Sequence, residues 1–425
     1  MVNINNNKIK GLGGIKRAYL NNTLIFQAFK KNEEVISPYD ITSTFNVTST
    51  TSQTKVCHNT SYFAEMYVDG EQVDVASGYT FNTIGEHTVN YKLSDKTTIG
   101  SYAFNYCSGL TEIVIQDSVT TIGNAAFQNC SVLKSITISN KLTSISSNTF
   151  FKCSGLTSID IPSSVTSIGD NAFQSCTSLS SITIPDSVTY IGNGVFSNTP
   201  FYNNLPNGEI YLGSCYYLYK GTMPSNTSIT IKDGTKSICG NAFNGCSGLT
   251  SVTIPDSVIN IGVSVFYSCS GLTYINIPDS VISIGEYAFY KCSGLTAITL
   301  PQNLSSNISK NTFAGCTSLT EIVIPDSVPS ISGDSVFSGC TSLQKITIGS
   351  GVTSIGTSFG FMSYSIFTGC TSLTEITCLA TTAPKLLRKS IQGIENNGGT
   401  LYVPQGSDYS TWTAILTTWN VQYLT

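Results

Sequence analysis

The sequence predicts a repeat solenoid, mostly β with short helical turns, with a small β module in front and a cap behind. Three observations predict it. Cysteines recur at a fixed interval: Cys107, Cys130, Cys153 and Cys176 are 23 residues apart, Cys246, Cys269 and Cys292 repeat the 23, and Cys316, Cys340 and Cys370 follow at 24, 24 and 30. A Phe stands three residues before each, giving Phe-x-x-Cys-[Ser/Thr]-x-Leu from Phe104, Phe127, Phe150, Phe173, Phe243, Phe266, Phe289, Phe313, Phe337 and Phe367, with Thr199 in the Cys place after Phe196. Apolar and polar residues then alternate, as at Leu179, Ile182 and Ile184, the pattern of a strand with one buried face. Self-similarity at a period of this length marks a stacked-repeat architecture.

Within one unit each element has a local reason. Pro185 ends the strand because it offers no N–H to a ladder. Asp186 and Ser187 suit the turn that follows. Val188 and Ile191 return to the core, and Gly192 permits a positive φ. Gly169 to Phe173 reads as a turn leading into a short helical piece, with Asp170 or Asn171 as N-cap. One such unit cannot bury its apolar side alone; stacked units, spaced about 4.8 Å apart, can. The repeated Cys then lines the interior as a small apolar side chain. Stacked cysteines fall within the Cα range of a disulfide, but side chains at equivalent positions point the same way. Free buried thiols are therefore expected, with disulfides as the alternative.

Composition removes several functions. The 425 residues carry 21 basic and 25 acidic side chains, 11% charged, with a net charge of -4; an ordinary domain has about 25%. A nucleic-acid partner needs a basic face and is not expected. His58 and His87 are the two histidines, and neither has a partner at ligand spacing. No phosphate loop, nucleophile elbow or carboxylate pair stands out, so no catalytic residue, metal or cofactor is assigned. The Asp of the Pro-Asp-Ser turns recurs at Asp186, Asp256, Asp279 and Asp326; a calcium ion could bridge such a row, but one carboxylate per turn favours simple turn formation. No run reaches the ~18 apolar residues of a membrane helix. The first residues show no apolar signal region, so the general secretion route is not expected if the chain is whole.

The unit Cys-[Ser/Thr]-x-Leu-Thr-x-Ile-x-Ile-Pro-Asp-Ser-Val-x-x-Ile-Gly-x-x-Ala-Phe resembles the BspA-like leucine-rich repeat. The resemblance covers residues 98–378, with an insertion at 197–228 that replaces part of two coils. It implies adhesion and protein or glycan binding, often at cell surfaces, and no catalysis. Residues 379–425, with Leu401-Tyr-Val-Pro-Gln-Gly-Ser-Asp-Tyr409 before Trp412 and Trp419, resemble the end of such arrays and should cap it.

Two segments precede the array. Residues 1–35 contain Ile15-Lys-Arg-Ala-Tyr-Leu-Asn-Asn-Thr-Leu-Ile-Phe26, a hairpin turning at Asn21-Asn22. It resembles the N-terminal segment of tail-appendage and other virion proteins of gut bacteriophages, which implies attachment to other virion proteins. Residues 36–97 form a small β domain; Gly85-Glu-His-Thr-Val-Asn-Tyr resembles a late strand of immunoglobulin-like modules. That domain is short for a full sandwich, and packing directly onto the first coil as a cap is the alternative.

The leading expectation is a non-enzymatic virion structural and adhesion protein that presents its solenoid to a host surface protein or glycan. The alternatives are a bacterial or protist adhesin, at the cell surface or secreted, and a purely structural decoration protein. A homo-oligomer is possible for any of them. Two sets of side chains are candidates for contact. One is a tyrosine cluster on a projecting hairpin: Tyr211, Tyr216, Tyr217 and Tyr219, with Tyr202 nearby. The other is the polar strand face, including Glu112, Asp160, Tyr274, Asn276, Glu321 and Lys345.

Overall fold

The computed structural model describes residues 18–20, 23–26, 29–31, 34–356, 365–387 and 390–424. They fall into two compact units, one running to Ser187 with Gly194–Asn204 added, the other comprising Val188–Asn193 and Leu205 onward.

In the first unit Ala18–Leu20 pairs antiparallel with Thr23–Phe26, as the hairpin expectation requires; Asn21 and Asn22 lie outside the described residues. One sheet then joins the β module to the first coils. Its order is Ser135–Thr137, Leu110–Ile115, Ile41–Val47, Gly85–Leu93, Phe63–Val68, Glu71–Val73. Ile41–Val47 runs antiparallel to Leu110–Ile115 and covers what would be an open strand edge. Asp40 fastens the junction: its carboxylate accepts the Leu93 N–H at 2.9 Å and the Ser118 hydroxyl at 2.8 Å. Phe63 and Tyr91 set their rings on Phe104 at 5.5 and 5.4 Å. A separate two-stranded ribbon pairs Thr54–Lys55 with Gly78–Tyr79. Nothing in this arrangement adds to the immunoglobulin-like resemblance.

The coils correct three local expectations. The segment before each Phe is a chain of turns, with no helix there. The reason is a recurring left-handed backbone two residues before and two after the Phe, as at Tyr102 (φ 62) and Tyr106 (φ 60). That conformation aims alternate N–H groups at the next coil: Tyr102, Phe104 and Tyr106 donate to the carbonyls of Asn124, Ala126 and Gln128. A helix would turn those donors inward along its own axis.

The repeat glycine also has a different role. At Gly123 and Gly169 the φ is not positive, but a Cβ would meet the backbone nitrogens of Ser101 and Ser147, 2.5 and 2.6 Å away. Glycine lets neighbouring backbones touch. Finally, the strand expected around Leu179 and Ile184 shrinks to one bridge, Asp160 to Thr183. Within this unit the chain beyond Gly194 continues into the helix Pro200–Asn204 and supplies no next strand.

The second unit has two runs of parallel sheet. The longer strands include Glu321–Ile324, Lys345–Ile348, Glu375–Cys378, Gly399–Pro404 and Trp419–Leu424, in that order. Residues 379–425 thus extend the sheet by two strands. Trp412 and Trp419 are buried and donate their indole N–H to the carbonyls of Pro384 and Ile394. The short strands Ser237–Ile238, Asn260–Ile261 and Ser283–Ile284 form the other run.

That run begins with the segment expected to project. Gly208–Leu212 and Cys215–Lys220 do form an antiparallel hairpin, but Cys215–Lys220 pairs in parallel with Ser237–Ile238 and is built into the coil stack. The alternation Cys215-Tyr216-Tyr217 supplies buried side chains on both faces of this strand, so a projecting strand would expose them to water.

A phenylalanine stack runs through each unit. In the first, Phe104, Phe127, Phe150, Phe173 and Phe196 stack at 5.2 to 5.7 Å, nearly parallel. In the second, Phe243, Phe266, Phe289, Phe313, Phe337 and Phe367 do the same. Each buried ring contributes about 1.5–3 kcal/mol by leaving water, and offset stacking adds about 0.5–1.5 kcal/mol.

Candidate binding faces

The fourteen cysteines are free and buried. Their placement explains why the repeat keeps a thiol. Cys130, Cys153 and Cys176 point their Sγ at the carbonyls of Phe104, Phe127 and Phe150 in the preceding coil, each at 3.1 Å. Cys269, Cys292, Cys316, Cys340 and Cys370 do the same to Phe243, Phe266, Phe289, Phe313 and Phe337 at 2.9 to 3.1 Å. Burial pushes these thiols up, to about 12 for Cys130, Cys176, Cys292 and Cys370, which makes them inert. Cys215 is different. It stands off the ladder, and its pKa is lowered by hydrogen bonds from Cys239 and Ser237, the latter at 3.2 Å.

The expected tyrosine cluster divides. Tyr216 is fully buried and stacks on Phe243 at 4.7 Å, so it serves as the first ring of the second unit's aromatic stack. Tyr217 is buried as well. Neither reaches a ligand, because the strand carrying them is inside the stack. Tyr219 is half-buried against the core. Tyr211 is partly exposed, but its hydroxyl bonds to Glu209 and to the Lys232 N–H, and the Lys232 ammonium lies 4.3 Å from its ring centre. Tyr202 sits on the Pro200–Asn204 helix of the first unit.

The polar strand positions do lie in rows. Glu112 is beside Ser135, and Asp160 beside Thr183. In the second unit Tyr274 and Asn276 stand beside Ala297 and Thr299, and the Tyr274 hydroxyl reaches the Thr299 hydroxyl at 3.3 Å. Glu321, Lys345 and Glu375 share a row of alternating sign, and Lys345 pairs with Glu375 at 3.2 Å. Exposed apolar surface is mixed in, with Tyr274 51% and Val323 55% exposed. A shallow hollow of about 480 Å³ lies next to this face, lined by Asp256, Asn276, Asp279, Thr299 and Gln302 among others.

Two of the turn aspartates bind backbone. Asp279 and Asp326 accept the N–H groups of Gln302 and Ser350, one coil on, at 2.7 and 2.6 Å. Among the described residues no three His, Cys, Asp or Glu side chains gather as a metal site. His58 contacts Lys55, and His87 pairs with Asp69 at 2.7 Å. No described helix is long and apolar enough to cross a membrane.

Sequence reasoning missed a second group of tyrosines. Tyr267 and Tyr290 follow successive Phe residues of the stack, and their rings lie 4.7 Å apart at 27°. Tyr287 meets Tyr290 edge-on at 5.7 Å. All three are partly exposed. The 23-residue spacing of Tyr267 and Tyr290 equals the repeat period, and that was the signal available.

The repeat has relatives among known proteins. Residues 97–209, 215–332 and 306–386 match the BspA type leucine rich repeat region, in six copies. The match runs through much of the expected insertion. Among solved structures, the chain is similar to a leucine rich cell surface protein from Faecalibacterium prausnitzii A2-165, at 30% identity over 76% of this chain and 79% of that one, with a TM-score of 0.33. It is also similar to the T. pallidum leucine rich repeat protein, at 28% identity over 39% and 78%, TM-score 0.34. A leucine-rich repeat protein from Bacteroides ovatus is 25% identical over 79% and 89%, TM-score 0.33. No curated protein matches the chain.

Proposed function

The chain belongs to the BspA-type leucine-rich repeat family, and on that premise we propose that it is a non-enzymatic binding protein displayed at a cell surface. Its solenoid meets a host surface protein or glycan through many small contacts. The observation that carries the reading is the strand face. It holds Tyr274, Val323, Glu321 and Lys345 exposed at fixed coil positions. An extended array of this kind adds weak contacts coil by coil. The tyrosine hairpin is not part of the proposal, since Tyr216 and Tyr217 are core residues.

The finer expectation of a virion protein fixed by residues 1–35 stands as the alternative. The family match begins at residue 97 and does not touch that segment. One localisation experiment separates the two. Intact producing cells are labelled with antibody to the solenoid, and purified particles from the same culture are examined by mass spectrometry. The proposal expects labelling of intact cells. Confinement to the cell interior, or fixed copy number on particles without cell labelling, would overturn it.

A further inference from the structure

We propose that the strand Trp419–Leu424 is a self-association edge, pairing antiparallel with the same strand of a second copy about a twofold axis at Val421. The inference stands apart from surface display, and either can fall without the other.

The first argument is an unfinished core. Along the second unit's long sheet one row reads Ile322, Ile346, Ile376, Leu401 and Val421. The first four are buried, while Val421 is half-buried. Val403 is fully buried, as are Ile324, Ile348 and Cys378, yet Tyr423, which pairs with Val403, is 59% exposed. Alternate residues of a strand share a face, so Trp419, Val421 and Tyr423 lie on the core side of the sheet. The exposed patch is therefore continuous with the interface through which each coil covers the one before.

The second argument is an unguarded edge. Trp419–Leu424 is bonded to Gly399–Pro404 on one side, and among the described residues no strand is bonded to the other. It keeps register over six residue pairs without a bulge, and it carries no charge and no proline. Free edges are ordinarily blunted by charge, proline, bulges or short length. The outer strand of the β module follows that rule, being three residues long with Glu71 exposed. The first unit also shows the alternative in use, since Ile41–Val47 closes the Leu110–Ile115 edge by antiparallel pairing.

The third argument selects the occupant. In the antiparallel register centred on Val421, this residue meets its own copy, Trp419 meets Tyr423 of the second copy, and Asn420 meets Gln422 of the second copy. Aromatic opposite aromatic is a favourable cross-strand pair, and two opposed amides offer each other both donors and acceptors. A twofold axis normal to the sheet keeps both core faces on the same side, so each copy completes the other's unfinished row. The same patch serves both copies, and the assembly closes at two.

The test is sedimentation velocity of the purified full chain over a concentration series, beside two double variants. Asn420→Lys with Gln422→Lys sets lysine opposite lysine at two places in this register. Asn420→Lys with Gln422→Glu sets opposite charges at the same two places. Both positions are exposed, so melting curves should be level across the three proteins. The unaltered chain should dimerise, and the lysine pair should weaken dimerisation by about tenfold or more through opposed like charges. The lysine–glutamate variant should still dimerise and should lose affinity as salt is added. A chain that stays monomeric at every concentration would overturn the proposal, and so would assembly beyond two copies. Equal dimerisation by the double-lysine variant would overturn it too, as would equal loss in both variants.

Discussion

Replacing Gly285 by alanine tests whether neighbouring coils touch through their backbones. A Cβ at Gly285 would lie 2.6 Å from the Gly262 carbonyl carbon and 2.6 Å from the Val263 nitrogen. Both are main-chain atoms, so no rotamer change relieves the overlap. Ordinary contact begins at 3.4 Å, so the two coils must part locally by about 0.8 Å. Parting them strains the Gly285 N–H bond to the Ile261 carbonyl, 2.9 Å long, and the adjoining pairs Asn260–Ser283 and Ile261–Ile284. Overpacking costs about 1–3 kcal/mol, and a buried hydrogen bond spoiled on top of it costs about 1 kcal/mol more. The expected loss is about 3 kcal/mol.

Urea unfolding followed by the fluorescence of the buried Trp412 and Trp419 measures it in this unit. Repeat arrays can open one interface at a time, so amide exchange at Ile284 and Gly285 should accelerate with the shift. Gly234→Ala is the control, because that glycine has φ +85 and open space around its Cβ; only conformational strain of about 1 kcal/mol applies. If Gly285→Ala changes stability by less than about 0.5 kcal/mol, within the range of an ordinary surface substitution, the close-contact reasoning is refuted. A control that costs more than Gly285→Ala would refute it equally.

Three further outcomes are expected. Tyr216→Phe should stabilise the chain by about 1 kcal/mol, because the buried Tyr216 hydroxyl finds no partner among the described residues; a lowered thermal midpoint would contradict this. Cys292→Ala should cost about 2 kcal/mol, from the lost contact and from the unmet Phe266 carbonyl. Cys292→Ser should not restore it, as the shorter C–O bond draws the donor back, and urea midpoints of the three proteins decide the point. Stability should also fall at alkaline pH. The folded thiols of Cys130, Cys176, Cys292 and Cys370 are raised from 9.0 to about 12, so their contribution is complete below pH 9 and is lost as pH climbs from about 9 to about 12. Each should contribute about 1 kcal/mol less at pH 10 than at pH 8; a urea midpoint constant from pH 8 to 10.5 would show that the ladder is open to solvent.

The periodic features were legible in the sequence because the fold repeats them. Phe-x-x-Cys at a fixed interval placed the stack, and equal spacing forced equal side-chain direction, so free thiols followed from geometry. The role of the repeat glycine was not legible. A glycine required for positive φ and one required for contact look identical in sequence, and only the neighbouring coil at 2.6 Å separates them. The helical piece was misread for a related reason: left-handed residues such as Asn171, with φ 56, have the same composition as helix caps. Tyr216 was misplaced because it stands 27 residues before Phe243 instead of 23, outside the register that revealed the others. The polar strand rows were readable from alternation alone, whereas the contact of Tyr267 with Tyr290 needed two coils to be superposed.

The thiol-to-carbonyl ladder has a consequence for how such a chain can vary. From Cys130 to Cys176 and again from Cys269 to Cys370, each repeat cysteine offers the same donor backwards, its Sγ, to the same acceptor, a Phe carbonyl. Phe289, Phe313, Phe337 and Phe367 keep the stack although the spacing grows from 24 to 30 residues. Length differences are absorbed between the anchors and do not reach them. The joint between coils is therefore a standard fitting: units can be gained or lost whole, and the outward side chains rewritten, without redesigning any interface inside.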